Sequence, residues 1–361
     1  MSIVELRSDT FTQPGPRMRQ AMAEAVCGDD MLGEDPTVND LEARICQMLG
    51  KEAAVFACSG TQSNQMGVWA QCRSGDELLI EEGGHIANYE GGAPAVLSGV
   101  SCRKIRGSRG LLTVEMLQAA YRPHDQHFPR TRLLCVENTA NLGGGVPYPL
   151  EQLREIREWA NGHGIAMHMD GARFFNACLA GGYSPSEVAA TCDTISICFS
   201  KGLGCPMGSI LVGSKETIQT ARRARKIFGG ALRQAGIVAA ACVYSLDHNI
   251  ARLSIDHENA QLLAHELAKI SGVIIDPATV ETNLVFFEID PAIATGEQVS
   301  RALAQRGVKM IAIGPQRLRA CTHLDVDREG LLRAAKELRE IMTSGSFTSA
   351  ETSPASAYSS K

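Results

Sequence analysis

Lys201 stands in Ser200-Lys201-Gly202-Leu203-Gly204 after a β-rich apolar run, and Asp170 stands in His168-Met169-Asp170-Gly171-Ala172-Arg173 after another. An amine and a carboxylate, each at the C-terminal end of an expected strand, lie where open α/β sheets bind ligands. The lysine can make a Schiff base with an aldehyde and the acid can partner a pyridinium nitrogen. Pyridoxal 5'-phosphate needs both. Each residue alone has an ordinary explanation, a solvated lysine or an Asp-Gly turn. The neighbours weigh against that. Gly202, Gly204 and Gly208 let backbone approach a planar ligand, and Ser200 offers a hydroxyl to a phosphate oxygen.

Other stretches fit the same chemistry. Cys58-Ser59-Gly60-Thr61-Gln62-Ser63-Asn64 follows an expected strand and precedes a helix read over Gln65 to Cys72, so Gly60 and Thr61 can offer N–H groups at a positive helix end. The loop is no Walker motif, and no G-x-G-x-x-G opens the strand, so a nucleotide site has little support. His85, in Gly83-Gly84-His85, follows another strand, where an imidazole can stack on a ring and move protons. Arg173 and Arg319 carry the planar guanidinium that grips a carboxylate in two bonds.

Strand-like runs at Ala53 to Ala57, Glu77 to Ile80, Arg132 to Val136, Ile165 to Met169, Thr194 to Phe199 and Ser209 to Val212 alternate with helical periodicity, as at Leu150 to Ala160. That rhythm predicts a largely parallel sheet covered by helices on both faces. Earlier, a helix is expected over Arg17 to Val26 and another from Thr37, whose hydroxyl can cap it. A long helical pattern from Asn249 through Ile270 leads to a smaller part, with strands at Thr282 to Ile289 and Val308 to Ile313 and a closing helix from Asp327 to Met342. From Thr343 the chain is almost all Ser, Thr, Ala and Pro and is expected to be disordered. The expected domains are 1–250, 251–342 and the tail 343–361.

The chain has 361 residues, 44% of them hydrophobic, enough for a sizeable core. Its 35 basic and 40 acidic side chains favour no polyanion, so no nucleic-acid partner is expected. No apolar run could span a bilayer and the first residues lack a signal-peptide pattern, so neither a membrane partner nor export is expected and the chain reads as cytoplasmic. Twelve cysteines occur without any C-x-x-C, and Cys58, Cys135, Cys198 and Cys242 lie in apolar or small-residue surroundings. They read as buried thiols. His124 and His127 lack companions for a tetrahedral site, and no metal is expected.

With these residues assembled, the chain resembles the low-specificity L-threonine aldolases, fold type I enzymes of the aspartate-aminotransferase-like class. The likeness is carried by LRSDT at Leu6 to Thr10, GEDPTVN at Gly33 to Asn39, SGTQSN at Ser59 to Asn64 and ENT at Glu137 to Thr139. It continues through HMDGAR at His168 to Arg173, FSKGLGCPMGS at Phe199 to Ser209, GGALRQAG at Gly229 to Gly236 and THLDV at Thr322 to Val326. The resemblance implies an α/β fold with a mostly parallel seven-stranded sheet in a large domain and a smaller α+β C-terminal domain. It implies Lys201 as the Schiff-base lysine, Asp170 as the pyridinium partner, His85 as the stacking imidazole and Glu90 in the proton-transfer network. Gly60, Thr61 and Ser200 would hold the phosphate, with Arg233 reaching that of a neighbouring subunit. Ser8, Arg173 and Arg319 would bind the substrate carboxylate, Arg173 also lining the cofactor. A homotetramer with sites shared between subunits is implied as well.

The reaction so implied is retro-aldol cleavage of an L-β-hydroxy-α-amino acid, such as threonine, allo-threonine or a phenylserine, to glycine and an aldehyde. Two departures bear on it. The family's ENTH reads Glu137-Asn138-Thr139-Ala140 here, and Leu32 stands where a tyrosine is common. Both leave apolar surface, so a bulkier β-substituent is expected to fit, and the β-hydroxyl base is open between His85, Glu90 and water. β-Elimination or racemisation of a related amino acid is the alternative within the same chemistry. A non-catalytic regulator is the alternative outside it, and the acidic balance with no added DNA-binding domain weighs against that.

Overall fold

The computed structural model describes residues 3–345 and 347. The chain forms two compact units, one of Pro14–Ala251 and the other of the described residues up to Gln13 together with those from Arg252 onward. The first strand, β1 (Val4–Glu5), belongs to the second of these, whereas the sequence reading kept the N-terminal residues with the large domain. Backbone pairing explains the placement.

The larger unit is built on seven strands: β2 (Ala53–Ala57), β3 (Glu77–Glu81), β4 (Ser101–Ile105), β5 (Thr131–Glu137), β6 (Ala166–Gly171), β7 (Thr194–Cys198) and β8 (Ser209–Gly213). They lie in the order β2-β8-β7-β6-β5-β3-β4. All neighbours are parallel except where β8 meets β2 and β7. Strands β7 and β8 are buried along their whole length, which is why Thr-Ile-Ser-Ile-Cys and Ser-Ile-Leu-Val-Gly read as continuous runs without polar alternation. Val68, Leu78, Ile80, Leu133 and Cys135 join one core cluster, and Val55, Met66, Leu211 and Ile218 another.

Helix Gly60–Gln71 is the element that matters most for the site. Ser59 caps it, its hydroxyl accepting from Gln62 N, so Ser-Gly-Thr-Gln-Ser-Asn is mostly the first turn of the helix rather than a loop before it. Another helix, Pro36–Leu49, is capped by Asp35, which accepts from Thr37 N and Val38 N; the Thr37 hydroxyl expected to cap it donates instead to Val26 O at 2.7 Å. The long helix expected from Asn249 through Ile270 is the shorter Leu253–Leu267, and residues 249–252 separate it from a preceding helix, Gly236–His248.

In the smaller unit β1 pairs in parallel with β11 (Val308–Lys309). A separate antiparallel sheet runs β12-β13-β10-β9, with β9 at Val273–Ile274, β10 at Leu284–Ile289, β12 at Ile311–Ala312 and β13 at Arg317–Cys321. Leu6, Leu263, Val285, Phe287, Leu318 and Leu338 lie in its core. Leu6 donates to Lys309 O and accepts from Cys321 N, both at 2.8 Å, so the first residues are stitched in by the main chain. The closing helix, Arg328–Ser344, is capped by Asp327. Of the tail expected from 343, only 343–345 and 347 fall among the described residues. Among the described residues no helix is long and apolar enough to cross a membrane.

Candidate active site

Parallel pairing sets Glu137 of β5 beside Asp170 of β6, and Asp170 beside Ser196 of β7. Lys201 follows the end of β7, in a turn where Gly204 N donates to Lys201 O at 2.8 Å. The amine and the acid thus leave adjacent strands at the same edge of the sheet. A side chain at Gly60 would sit 3.7 Å from Cys198 Sγ, and that sulfur lies 3.3 Å from Ser200 Oγ. The start of helix Gly60–Gln71, whose first N–H groups have no acceptor within the helix, is therefore beside the Ser200-Lys201 turn. Asn64 lies one turn further along, about 6 Å by the helical rise.

Asn64 is where that helix meets the acids. Its Nδ2 donates to Asp170 Oδ2 at 2.9 Å and to Glu90 Oε1 at 2.8 Å. Ala172 N donates to Asp170 Oδ1 at 3.0 Å, and Gln65 Nε2 to Glu90 Oε2 at 2.5 Å. His85 begins the short helix His85–Asn88, and its Nδ1 lies 2.9 Å from Glu90 Oε1. Burial works against charge on His85, but the bond to Glu90 and the charges of Asp170 and Glu137 outweigh it and raise its pKa. Ligand atoms of His85, Glu90 and Asp170 lie within 4.8 Å of one another, a spacing that could suit a cation. Here the Asn64 amide already donates to both carboxylates.

Glu137 is buried and anchors two backbones, accepting from His85 N at 2.7 Å and Asn141 N at 2.8 Å. Burial first, then the charge of Asp170, pushes its carboxyl up to about 7. Arg173 is buried, with Nη1 3.5 Å from Asn141 Oδ1. Arg233 pairs with Asp29 at 2.8 Å. Three residues earlier, Gly230 packs on the side chain of Gln62, which a Cβ there would overlap, and Gly230 O accepts from Cys58 Sγ at 3.4 Å. In the smaller unit Arg319 is 1% exposed and donates to Arg7 O at 3.0 Å, which sets it beside Ser8 along the chain; the Ser8 hydroxyl accepts from Thr10 N at 3.2 Å.

A family model described as beta-eliminating lyase matches residues 5–290. The chain is 39% identical to the low specificity L-threonine aldolase of Escherichia coli (strain K12), over 94% of this chain and 99% of that one. It is also 39% identical to low-specificity L-threonine aldolase 1 of Arabidopsis thaliana, over 90% of this chain and 92% of that one. The chain belongs to the low-specificity L-threonine aldolase family. A threonine aldolase of Leishmania major, 19% identical, shares the fold with a TM-score of 0.82 over 94% of this chain and 99% of that one. The α/β architecture is that of the fold type I enzymes, and membership makes the chain a pyridoxal-phosphate-dependent lyase.

The residues present fit that cofactor. Helix N–H groups at Gly60, where even a Cβ would touch Cys198, suit a phosphate, and Lys201 with its primary amine lies three residues beyond Cys198. A buried carboxylate oriented by two N–H donors suits a protonated ring nitrogen. Sequence reasoning assigned no role to Asn64, Gln65, Glu137 or His168. Two signals were available. His168 precedes Asp170 by two on a strand, hence shares its face, and Asn64 follows Gly60 by four on a helix.

The two departures lie in unlike surroundings. The Ala140 methyl is buried against a glycine turn, 2.6 Å and 3.1 Å from where side chains at Gly110 and Gly143 would begin. Backbone thus approaches the methyl, and Ala140 together with Glu137 and Gly110 also lines a small cavity. Leu32 ends the short 3₁₀ turn Asp30–Leu32 and is 69% exposed. Of the four thiols singled out, Cys135, Cys198 and Cys242 are buried and Cys58 is half-buried.

Proposed function

We propose that this chain cleaves L-β-hydroxy-α-amino acids to glycine and an aldehyde, with Lys201 and Asp170 holding pyridoxal 5'-phosphate. The observation that carries the reading is their emergence from adjacent parallel strands beside the helix start at Gly60. The cofactor, when bound, supplies an aldehyde for the substrate amine and a protonated ring that draws electrons from the bond being broken. The residue assignments rest on the family likeness together with the contacts described.

Gly60, Thr61 and Ser200 hold the phosphate, and Arg233 is assigned to that of a neighbouring subunit. Asp170, fixed by Asn64 and Ala172, keeps a proton on the ring nitrogen. His85 covers the ring. Ser8, Arg173 and Arg319 bind the substrate carboxylate and so select which bond at Cα is aligned for cleavage. Ala140 offers no proton acceptor, so the β-hydroxyl proton passes to His85, backed by Glu90 at 2.9 Å. The enzyme is proposed to work in the cytosol as a homotetramer, which the exposed apolar side chains of Val26, Leu32 and Ile227 support.

A panel of L-threonine, L-allo-threonine and L-phenylserine, with glycine and aldehyde both quantified, tests the reading. Equal yields of the two products are expected from at least one substrate. A keto acid and ammonia without glycine would instead mark β-elimination.

A further inference from the structure

Behind Asp170 runs a line of hydrogen bonds whose directions are fixed from both ends. At the inner end the Asn64 amide faces two carboxylates, Glu90 at 2.8 Å and Asp170 at 2.9 Å. Only the NH₂ side can serve two anionic acceptors, so Asn64 Oδ1 faces His168 Nε2, 3.2 Å away, and that nitrogen carries a proton. At the outer end Gln71 Nε2 donates to Thr194 Oγ1 at 2.7 Å. The single Thr194 proton is thereby directed to His168 Nδ1, at 2.8 Å. Both ends require the same neutral tautomer. Burial takes the His168 pKa down to about 4, against an opposing pull from Asp170, so the ring stays neutral.

Room for this ring is made by Gly67, on the helix that carries Asn64. A Cβ there would lie 2.7 Å from His168 Cε1 and 2.8 Å from Nδ1. The helix thus approaches β6 closely enough for one amide to reach both acids.

We infer that Asn64 is a positioning residue, held in one amide orientation by Gln71, Thr194 and His168, and that it fixes the spacing of the Asp170 and Glu90 carboxylates. The inference rests on the reading of Asp170 as the acid facing the cofactor ring. Because Glu90 also binds His85, the same amide ties the ring acid to the imidazole. Turned over, Asn64 would present lone pairs to two anions, and Asp170 would lose a donor that stabilises its charge. The titratable groups facing this cluster are Glu137 from β5, His85 and Glu90, with His168 neutral behind it.

The test uses Thr194→Val holoenzyme, which keeps the side-chain shape and removes only the hydroxyl. The bound cofactor's visible absorbance is titrated against pH, and kcat and KM are measured separately. The expected result is a titration midpoint displaced by about one unit and kcat lowered about tenfold with KM little changed. Asn64→Asp should move both further in the same direction. His168→Gln, which keeps an N–H for Asn64, should retain more activity than His168→Leu. Wild-type midpoint and kcat in Thr194→Val would overturn the inference, whether or not Asn64→Asp folds. Wild-type protein that binds no cofactor would instead overturn the functional reading on which the inference rests.

Discussion

At the Asp170 end of the site, side chains from the helix Gly60–Gln71, β6 and the His85 segment are joined through charged hydrogen bonds. At the Ala140 end the contact is a methyl group against glycine backbone. The first region fails when a donor is removed, because a buried charge is left without its partner. The second fails when volume is added, because packed backbone cannot make way cheaply. Chemistry should therefore respond to substitution at one end and stability at the other.

Asp170→Asn attacks the polar end at its centre and should lower kcat about 100-fold or more, the scale of losing one electrostatic stabiliser at a reacting centre. Steady-state rates beside an unchanged circular dichroism spectrum check this. A loss under threefold would show that the carboxylate charge is not used.

Glu137 makes stability depend on pH. Its carboxyl is pushed up from 4.5 to about 7, so the folded protein keeps a proton that the unfolded chain has released. Stability from this group is complete below about 4.5, is lost as pH rises through about 7, and stays flat above. The amount is on the order of 3 kcal/mol. Thermal unfolding of cofactor-free Glu137→Gln between pH 5 and 8 should show a flatter profile than wild type. An identical slope in both proteins would remove Glu137 as its source.

Ala140→His presses the apolar end. Its side chain would have to displace the turn at Gly110 and Gly143, at a cost of about 1 to 3 kcal/mol. Denaturant unfolding should show the loss. Unchanged stability together with faster threonine cleavage would mean that the turn moves aside freely and that the missing imidazole limits the wild-type enzyme.

Much of this frame was legible in the chain. Ala53–Ala57 is a strand with the bounds its apolar run gives, and β5 to β8 fall within a residue or two of theirs because central strands must be apolar on both faces. Strand β4 went unread. Its Ser-Cys-Arg-Lys-Ile lies at the sheet edge, mostly exposed or half-buried, and carries no apolar pattern. Among site residues, Lys201, Asp170 and His85 declare themselves by type and by position at or just beyond strand ends. Asn64 and His168 do not, since an amide in a helix and a buried histidine look ordinary until the register of β6 against that helix is known. The surroundings of Ala140 were not legible either, because local sequence does not show which backbone approaches a methyl.

On the proposed reading Lys201 holds the cofactor through its amine. Borohydride reduction of the purified holoenzyme, followed by peptide mass mapping, tests it directly. One phosphopyridoxyl adduct is expected, on the peptide that carries Lys201. An adduct on another lysine, or none from protein that still cleaves its substrate, would contradict it.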